Sequence, residues 1–82
     1  MSTVKQVVEV LAKALTDHPD QVHVTESQHR GTTLVELYVA PGELGRVIGK
    51  QGRTAAALRT LAASAGEKEG KTVTLEIRDG RP

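Results

Sequence analysis

The stretch whose residue types best suit chemistry is residues 47–53, Val-Ile-Gly-Lys-Gln-Gly-Arg, where two glycines three positions apart stand beside basic side chains. A glycine has no Cβ, so the backbone there can approach a ligand closely and can adopt the positive φ of a sharp turn. If a helix begins at Gly52 or Arg53, its free N–H groups point at a ligand over the turn. Lys50, Arg53 and Arg46 surround that point with positive charge. The pattern predicts a cradle for the phosphate backbone of a nucleic acid.

The glycine spacing by itself is weak evidence for a ligand site. On spacing alone the structural interpretation is the stronger one, because Gly49 also suits the residue that ends a short helix. A second Gly-x-x-Gly at residues 42–45 contains the acidic Glu43, and we interpret it as a loop or helix start. The charge distribution favours nucleic acid at the first motif: residues 44–66 hold four basic and no acidic residues, whereas the rest holds seven basic and ten acidic ones. Four solvated basic residues on a helix would give the same count, but a local patch suits contact with phosphates.

The composition of the chain restricts the remaining classes of protein. Eighty-two residues are expected to form one domain, and the absence of cysteine excludes disulfides and thiolate metal sites. Tyr38 is the single aromatic residue, so the core is expected to consist of Val, Leu, Ile and Ala. No apolar run is long enough to span a bilayer, and the first residues lack the apolar region of a signal peptide. We expect a soluble cytoplasmic protein without a membrane segment.

The three histidines indicate neither catalysis nor a metal site. His18, His23 and His29 are predicted on a helix end, a strand and a loop, with no spacing that joins a nucleophile to a base. No helical pair of metal ligands four residues apart is present. A metal held by a hairpin through His23 and His29 has no further support. We therefore expect that the protein is not an enzyme and that it binds no cofactor and no metal.

Hydropathy patterns predict an α+β domain. Apolar residues at helical spacing between Val4 and Leu15 indicate a first helix. Alternating patterns predict strands over residues 21–26, 32–40 and 72–78, and helical patterns predict a short helix over 43–48 and a longer one over 54–65 ended by Gly66. The last residues, 79–82, are expected to fray. The elements predict a three-stranded mixed sheet with all three helices packed on one face.

The glycine motif and the order of the predicted elements resemble those of a known family. Residues 47–54, Val-Ile-Gly-Lys-Gln-Gly-Arg-Thr, resemble the signature of the KH domain, and the extra helix and strand before the core resemble the type II arrangement. The run 45–61 and the chain length are similar to the small bacterial single-KH RNA-binding proteins (KhpA-like). The resemblance covers residues 1–82 as one KH domain, with its core at about residues 3–78.

The resemblance implies a binding site for single-stranded RNA. KH domains clamp the backbone of about four nucleotides at this loop while the bases lie on an apolar groove. Carried onto this chain, Gly49 and Gly52 allow backbone approach, and the other members of the site are expected to be Lys50, Gln51, Arg53, Arg46, Val47 and Ile48. The loop between the first two strands is expected to add Gln28, His29 and Arg30 to the groove rim.

The resemblance also bears on affinity and partners. Ala55 stands where a branched apolar residue is common, and the binding surface lacks an aromatic residue, so we expect weak binding with little sequence preference. The chain is expected to pair with itself or with a larger KH-containing RNA-binding protein, through Leu61 and the alanine-rich helix face that includes Ala57. Helical spacing with Leu58 and Ala65 instead favours a core position for Leu61. Two alternatives stay open: single-stranded DNA as ligand, and an interaction module that binds no RNA.

Overall fold

Residues 3–81 form three helices and three strands in the predicted order. The structure is a computed structural model, and it describes residues 3–81. The elements are α1 Thr3–Leu15, β1 His23–His29, β2 Thr32–Val39, α2 Leu44–Ile48, α3 Arg53–Lys68 and β3 Thr72–Asp79, with 3₁₀ turns at Pro19–Gln21 and Lys50–Gly52. No helix within the described residues combines the length and hydropathy needed to cross a membrane.

The sheet is mixed, with strand order β1-β2-β3. β1 and β2 are antiparallel and are joined by Arg30 and Gly31, whose φ values of 49° and 83° are both positive, as a tight two-residue hairpin turn requires. β2 and β3 are parallel, with Thr32 opposite Thr72. Because parallel strands need a long crossover, α2 and α3 together return the chain to the start of β3.

The helices cover one face of the sheet, as predicted. In β2 the alternate residues Val35, Leu37 and Val39 are fully buried, whereas their neighbours on the other face are partly exposed. Val4 and Val8 of α1 pack into the same core, as do Val47 of α2 and Leu58 of α3. A core built from aliphatic side chains therefore holds the helix–loop–helix segment on the sheet.

Several predicted boundaries were wrong, and β1 begins at His23, two residues later than predicted. β1 continues to His29, so Gln28 and His29 belong to the strand. α3 passes through Gly66, whose missing side chain leaves room for Val73 of β3, and the helix ends only at Lys68. β3 includes Asp79, and the N–H of Gly80 donates to the carbonyl of Val39 at 2.9 Å, so the strand pairing reaches further than predicted.

Candidate nucleic-acid interface

The loop between α2 and α3, residues 49–52, is called the glycine loop below. Gly49 has φ 74° and ψ 174°, a backbone conformation that essentially only glycine adopts. A Cβ at this position would overlap the side chain of Thr54, so Thr54 packs directly against the backbone of Gly49. The N–H of Gly49 also donates to the carbonyl of Gly45 at 2.8 Å. Gly49 therefore both ends α2 and supplies the positive φ with which the turn begins.

Gly52 has a different environment from Gly49. Its φ of 72° is also positive, but no atom lies within 4 Å of the place where a Cβ would stand. Gly52 directly precedes α3, so the open space lies at the helix N-terminus, where backbone N–H groups and the helix dipole favour an anion. Close approach of a ligand to the backbone is consequently available at Gly52, whereas Thr54 occupies the corresponding space at Gly49.

The polar side chains of the glycine loop are exposed. Gln51 adopts φ 57°, one of two positive-φ residues other than glycine in the described chain, and its Oε1 accepts a hydrogen bond from Nη2 of Arg53 at 2.9 Å. Among residues 3–81, no carboxylate lies within ion-pair distance of Lys50 or Arg53. Lys50 in the loop and Arg53 at the start of α3 thus present two positive charges that the described part of the protein does not neutralise.

The charge of Arg46 is balanced by carboxylates. Its Nη2 lies 2.8 Å from Oδ2 of Asp17, and its Nε lies 3.5 Å from Oε2 of Glu43. The basic count over residues 44–66 therefore overstated the free positive charge beside the loop. Asp17 is too far along the chain for any spacing pattern to have indicated this pair.

Glu43 connects the end of α1 to the start of α2. The residue is only 5% exposed, and its Oε2 accepts a hydrogen bond from the N–H of Asp17 at 2.8 Å. Its Oε1 lies 2.7 Å from Nδ1 of His18. The Asp17 N–H lowers the pKa of Glu43 despite burial, and the hydrogen bond and charge of Glu43 raise the pKa of His18. α2 begins at Leu44, inside the second Gly-x-x-Gly, in agreement with the prediction of a loop or helix start.

We expect the His18–Glu43 contact to make stability depend on pH. Because the folded pKa of His18 is raised, its contribution is complete below the usual value of about 6.5 and is lost as pH rises through the folded pKa. The lowered pKa of Glu43 makes its contribution complete above about 4.5 and lost as pH falls through its folded pKa. His18→Gln should therefore cost more stability at pH 6 than at pH 9, measured by urea unfolding with circular dichroism. An equal loss at both values would contradict this assignment.

The structure places Val47 and Ile48 differently from each other. Val47 is fully buried in the core, whereas Ile48 is half-buried at the end of α2. Of these two expected members of the site, Val47 is therefore covered by the core, and only Ile48 reaches the surface. Ile48 is therefore the apolar residue that α2 offers next to the glycine loop.

Gln28, His29 and Arg30 lie at the other end of the sheet from the glycine loop. Arg30 precedes the start of β2, whereas α2 and the loop follow the end of β2. The 16 residues of α3 then span about 24 Å back to the start of β3, which pairs with the start of β2. The direction of β2 therefore separates these three residues from the glycine loop.

Leu61 and Ala57 lie beside an apolar groove between α1 and α3, called the α1–α3 groove below. Leu61 is 47% exposed and Val10 is 67% exposed, so the core position favoured by helical spacing is wrong for Leu61. Two adjoining hollows form the groove. They are lined by Gln6, Val7, Val10, Leu11, Ala14, Leu15, Thr54, Ala57, Leu58 and Leu61. The hydropathy pattern did not indicate the contribution of α1, because Val10 lies outside the apolar stripe of that helix.

Comparison with known proteins agrees with the fold. A family model described as KhpA/KhpB, KH domain, matches residues 5–77. The RNA-binding protein KhpA of Aquifex aeolicus is 54% identical over 77 residues, which cover 94% of this chain and 98% of the relative. The protein of the same name from Clostridium perfringens is 48% identical over 73 residues, covering 89% and 97%.

Two solved structures of Era share the fold. One is a complex of Era with MgGDPNP and a segment of 16S ribosomal RNA, with a TM-score of 0.64 and 22% identity over 93% of this chain and 29% of Era. The other is Aquifex aeolicus Era bound to GDP and aluminium fluoride, with a TM-score of 0.62 and 18% identity over 96% of this chain and 31% of Era. This chain therefore corresponds to less than a third of Era.

Proposed function

Because this chain belongs to the KhpA/KhpB KH-domain family and has the type II KH fold, we propose that it binds single-stranded RNA through the glycine loop and the shallow surface beside it. The observation that carries the proposal is a pair of exposed cations, Lys50 and Arg53, on either side of the open backbone at Gly52, with no carboxylate of residues 3–81 within ion-pair distance of either. Relatives carry the name RNA-binding protein. We propose binding without catalysis, in the cytoplasm, in post-transcriptional regulation or RNA chaperoning.

The proposed contacts are few. Lys50, Arg53 and the N-terminal N–H groups of α3 suit phosphates, while Ile48 offers apolar surface to bases. Tyr38 lies on the opposite face of the sheet, since it alternates with the buried Leu37 and Val39, and its hydroxyl donates to Glu36. Base stacking of about 1–3 kcal/mol per base is therefore absent from the proposed surface. These features support weak binding by one copy, with little dependence on sequence.

We expect micromolar affinity and a shallow dependence on salt. Neutralising two or three phosphates of a single strand corresponds to a slope of log K against log salt between about −1.4 and −2. Fluorescence anisotropy with a labelled single-stranded RNA of about eight nucleotides, between 50 and 300 mM salt, measures both quantities. The same sequence as DNA tests whether the sugar matters, because the loop reads phosphates, which both share. Low-nanomolar binding by a monomer, or affinity independent of salt, would contradict the proposed site.

The α1–α3 groove supports a second proposal, that two copies of this chain associate through it. Val10 and Leu61 expose apolar surface on neighbouring helices, and Ala57 allows close approach of another helix. Large exposed apolar side chains that line one groove are typical of an interaction surface. Two weak RNA sites in one dimer would bind a longer strand more tightly, because the second contact becomes intramolecular. A larger KH-containing protein that occupies the same groove is the alternative partner.

We expect Leu61→Glu and Val10→Glu to shift the dimer to monomer by placing a charge in the apolar contact. Sedimentation velocity at several concentrations measures the shift, and circular dichroism checks the fold. Ser27→Glu adds the same charge on the exposed sheet face and should leave association unchanged. If both groove variants stay folded and dimeric, the groove is not the contact. If the wild type is monomeric at all concentrations, a heterologous partner is the remaining candidate.

A further inference from the structure

One side of α3 lies directly along the edge strand β3. Nε of Arg59 donates a hydrogen bond to the carbonyl of Leu75 at 3.3 Å, and the backbone of Gly66 lies against the side chain of Val73. β3 is the last strand of the sheet, so its far side has no neighbouring strand. Arg59 consequently covers part of the free edge of β3, at the seam between helix and sheet.

The seam begins at the glycine loop and is lined by small residues. Ala56, Arg59 and Ala63 recur every three or four residues and so share one side of α3, and Gly52 stands just before the helix, four residues ahead of Ala56. Arg59 is the one long side chain among these four, about 10 Å along the helix from Gly52. A strand held by its backbone at the loop would therefore have its next bases beside Arg59.

The hydrogen bond to Leu75 leaves most of the guanidinium of Arg59 available. A guanidinium has five N–H donors in a rigid plane, and only Nε is used in this contact. No carboxylate among residues 3–81 lies within ion-pair distance of it. The bond orients the plane, so the two Nη groups form a fixed pair of donors. Such a pair matches the two adjacent acceptors, O6 and N7, of guanine.

We propose that Arg59 determines specificity by donating from its Nη groups to a guanine held on the α3–β3 seam. The proposal rests on RNA binding at the glycine loop and adds a preference at one nucleotide position to binding that otherwise depends on the backbone. Lysine at this position would keep the charge but would lose the planar pair of donors. A contact with phosphate would instead affect all sequences alike.

The test compares eight-nucleotide RNAs by anisotropy: all-adenine, and the same strand with one guanine at each position in turn. Wild type should bind at least one guanine-containing strand roughly five- to tenfold more tightly than the all-adenine strand. Arg59→Lys and Arg59→Gln should abolish that preference, and Arg59→Lys should bind the all-adenine strand within about twofold of wild type. Lys68→Gln, which removes a charge at the far end of α3, should keep the preference.

Three results would overturn the role of Arg59. They are a wild type that binds RNA without preferring guanine, variants that keep the preference, or variants that weaken binding to every strand equally while the salt slope becomes shallower. Each of these leaves RNA binding at the glycine loop intact. Failure of the wild type to bind any of the strands would instead refute the proposed function together with this inference. Circular dichroism melting of each variant confirms that the compared proteins are folded.

Discussion

Replacing Lys50 and Gln51 together by aspartate is expected to weaken binding to a short single-stranded RNA at least tenfold while the domain stays folded. The change removes one of the two cations, Lys50 and Arg53, that no carboxylate of residues 3–81 neutralises, and places two carboxylates where a phosphate would lie. Aspartate tolerates the positive φ of position 51, so the turn is preserved. Anisotropy measures the affinity, and circular dichroism reports on the fold.

A matched control comes from the opposite end of the sheet. His29→Asp combined with Arg30→Asp makes the same change in charge, and Arg30 also adopts a positive φ in an exposed turn. This control should bind RNA within about twofold of wild type, because about 24 Å of helix separates the two ends. Equal weakening by both variants would indicate a nonspecific charge effect. Wild-type affinity in the loop variant would instead favour the alternative that the chain is an interaction module and that the glycine loop is not an RNA site.

Gly49→Ala is expected to destabilise the domain by about 3 kcal/mol or more, whereas Gly52→Ala should cost about 1–2 kcal/mol. Both substitutions strain a positive φ, but only at Gly49 does the new Cβ also collide with a neighbour, the side chain of Thr54. Urea unfolding followed by circular dichroism gives the two free energies of unfolding. Comparable losses of free energy of unfolding at the two glycines would contradict the finding that only Gly49 is packed against a neighbouring side chain.

The two glycine variants also separate folding from binding. Gly52→Ala places a methyl group in the open space beside α3. The free energy of RNA binding should therefore weaken by more than the free energy of unfolding falls. Adding Thr54→Ala to Gly49→Ala removes the overlap with Oγ1 but leaves the Cβ of residue 54 at 2.7 Å from the new Cβ, so it should recover only part of the lost stability. If Thr54→Ala recovers nothing, the overlap with Oγ1 is not what makes glycine necessary at position 49.

The sequence by itself determined the features that depend on near neighbours in the chain. Alternation in β2 and helical spacing in α1 identified these elements, because burial on one face imposes a period of two or about 3.6. Two glycines before a helical pattern identified the loop, since the positive φ values at 49 and 52 favour residues without a Cβ. The antiparallel hairpin and the crossover followed from element order, which restricts how strands can pair.

Only the tertiary structure decided which distant groups meet. Three contacts join segments that no local pattern relates. They are the ion pair of Arg46 with Asp17, the hydrogen bond from Arg59 to the carbonyl of Leu75, and the contact of Val73 with Gly66, through which α3 continues. The exposure of Leu61 likewise depends on how α1 lies against α3, because a residue at core spacing is buried only where another element covers it. Local periodicity records which side of an element is apolar. The packing of elements separated along the chain decides whether that side is covered and which charges remain free.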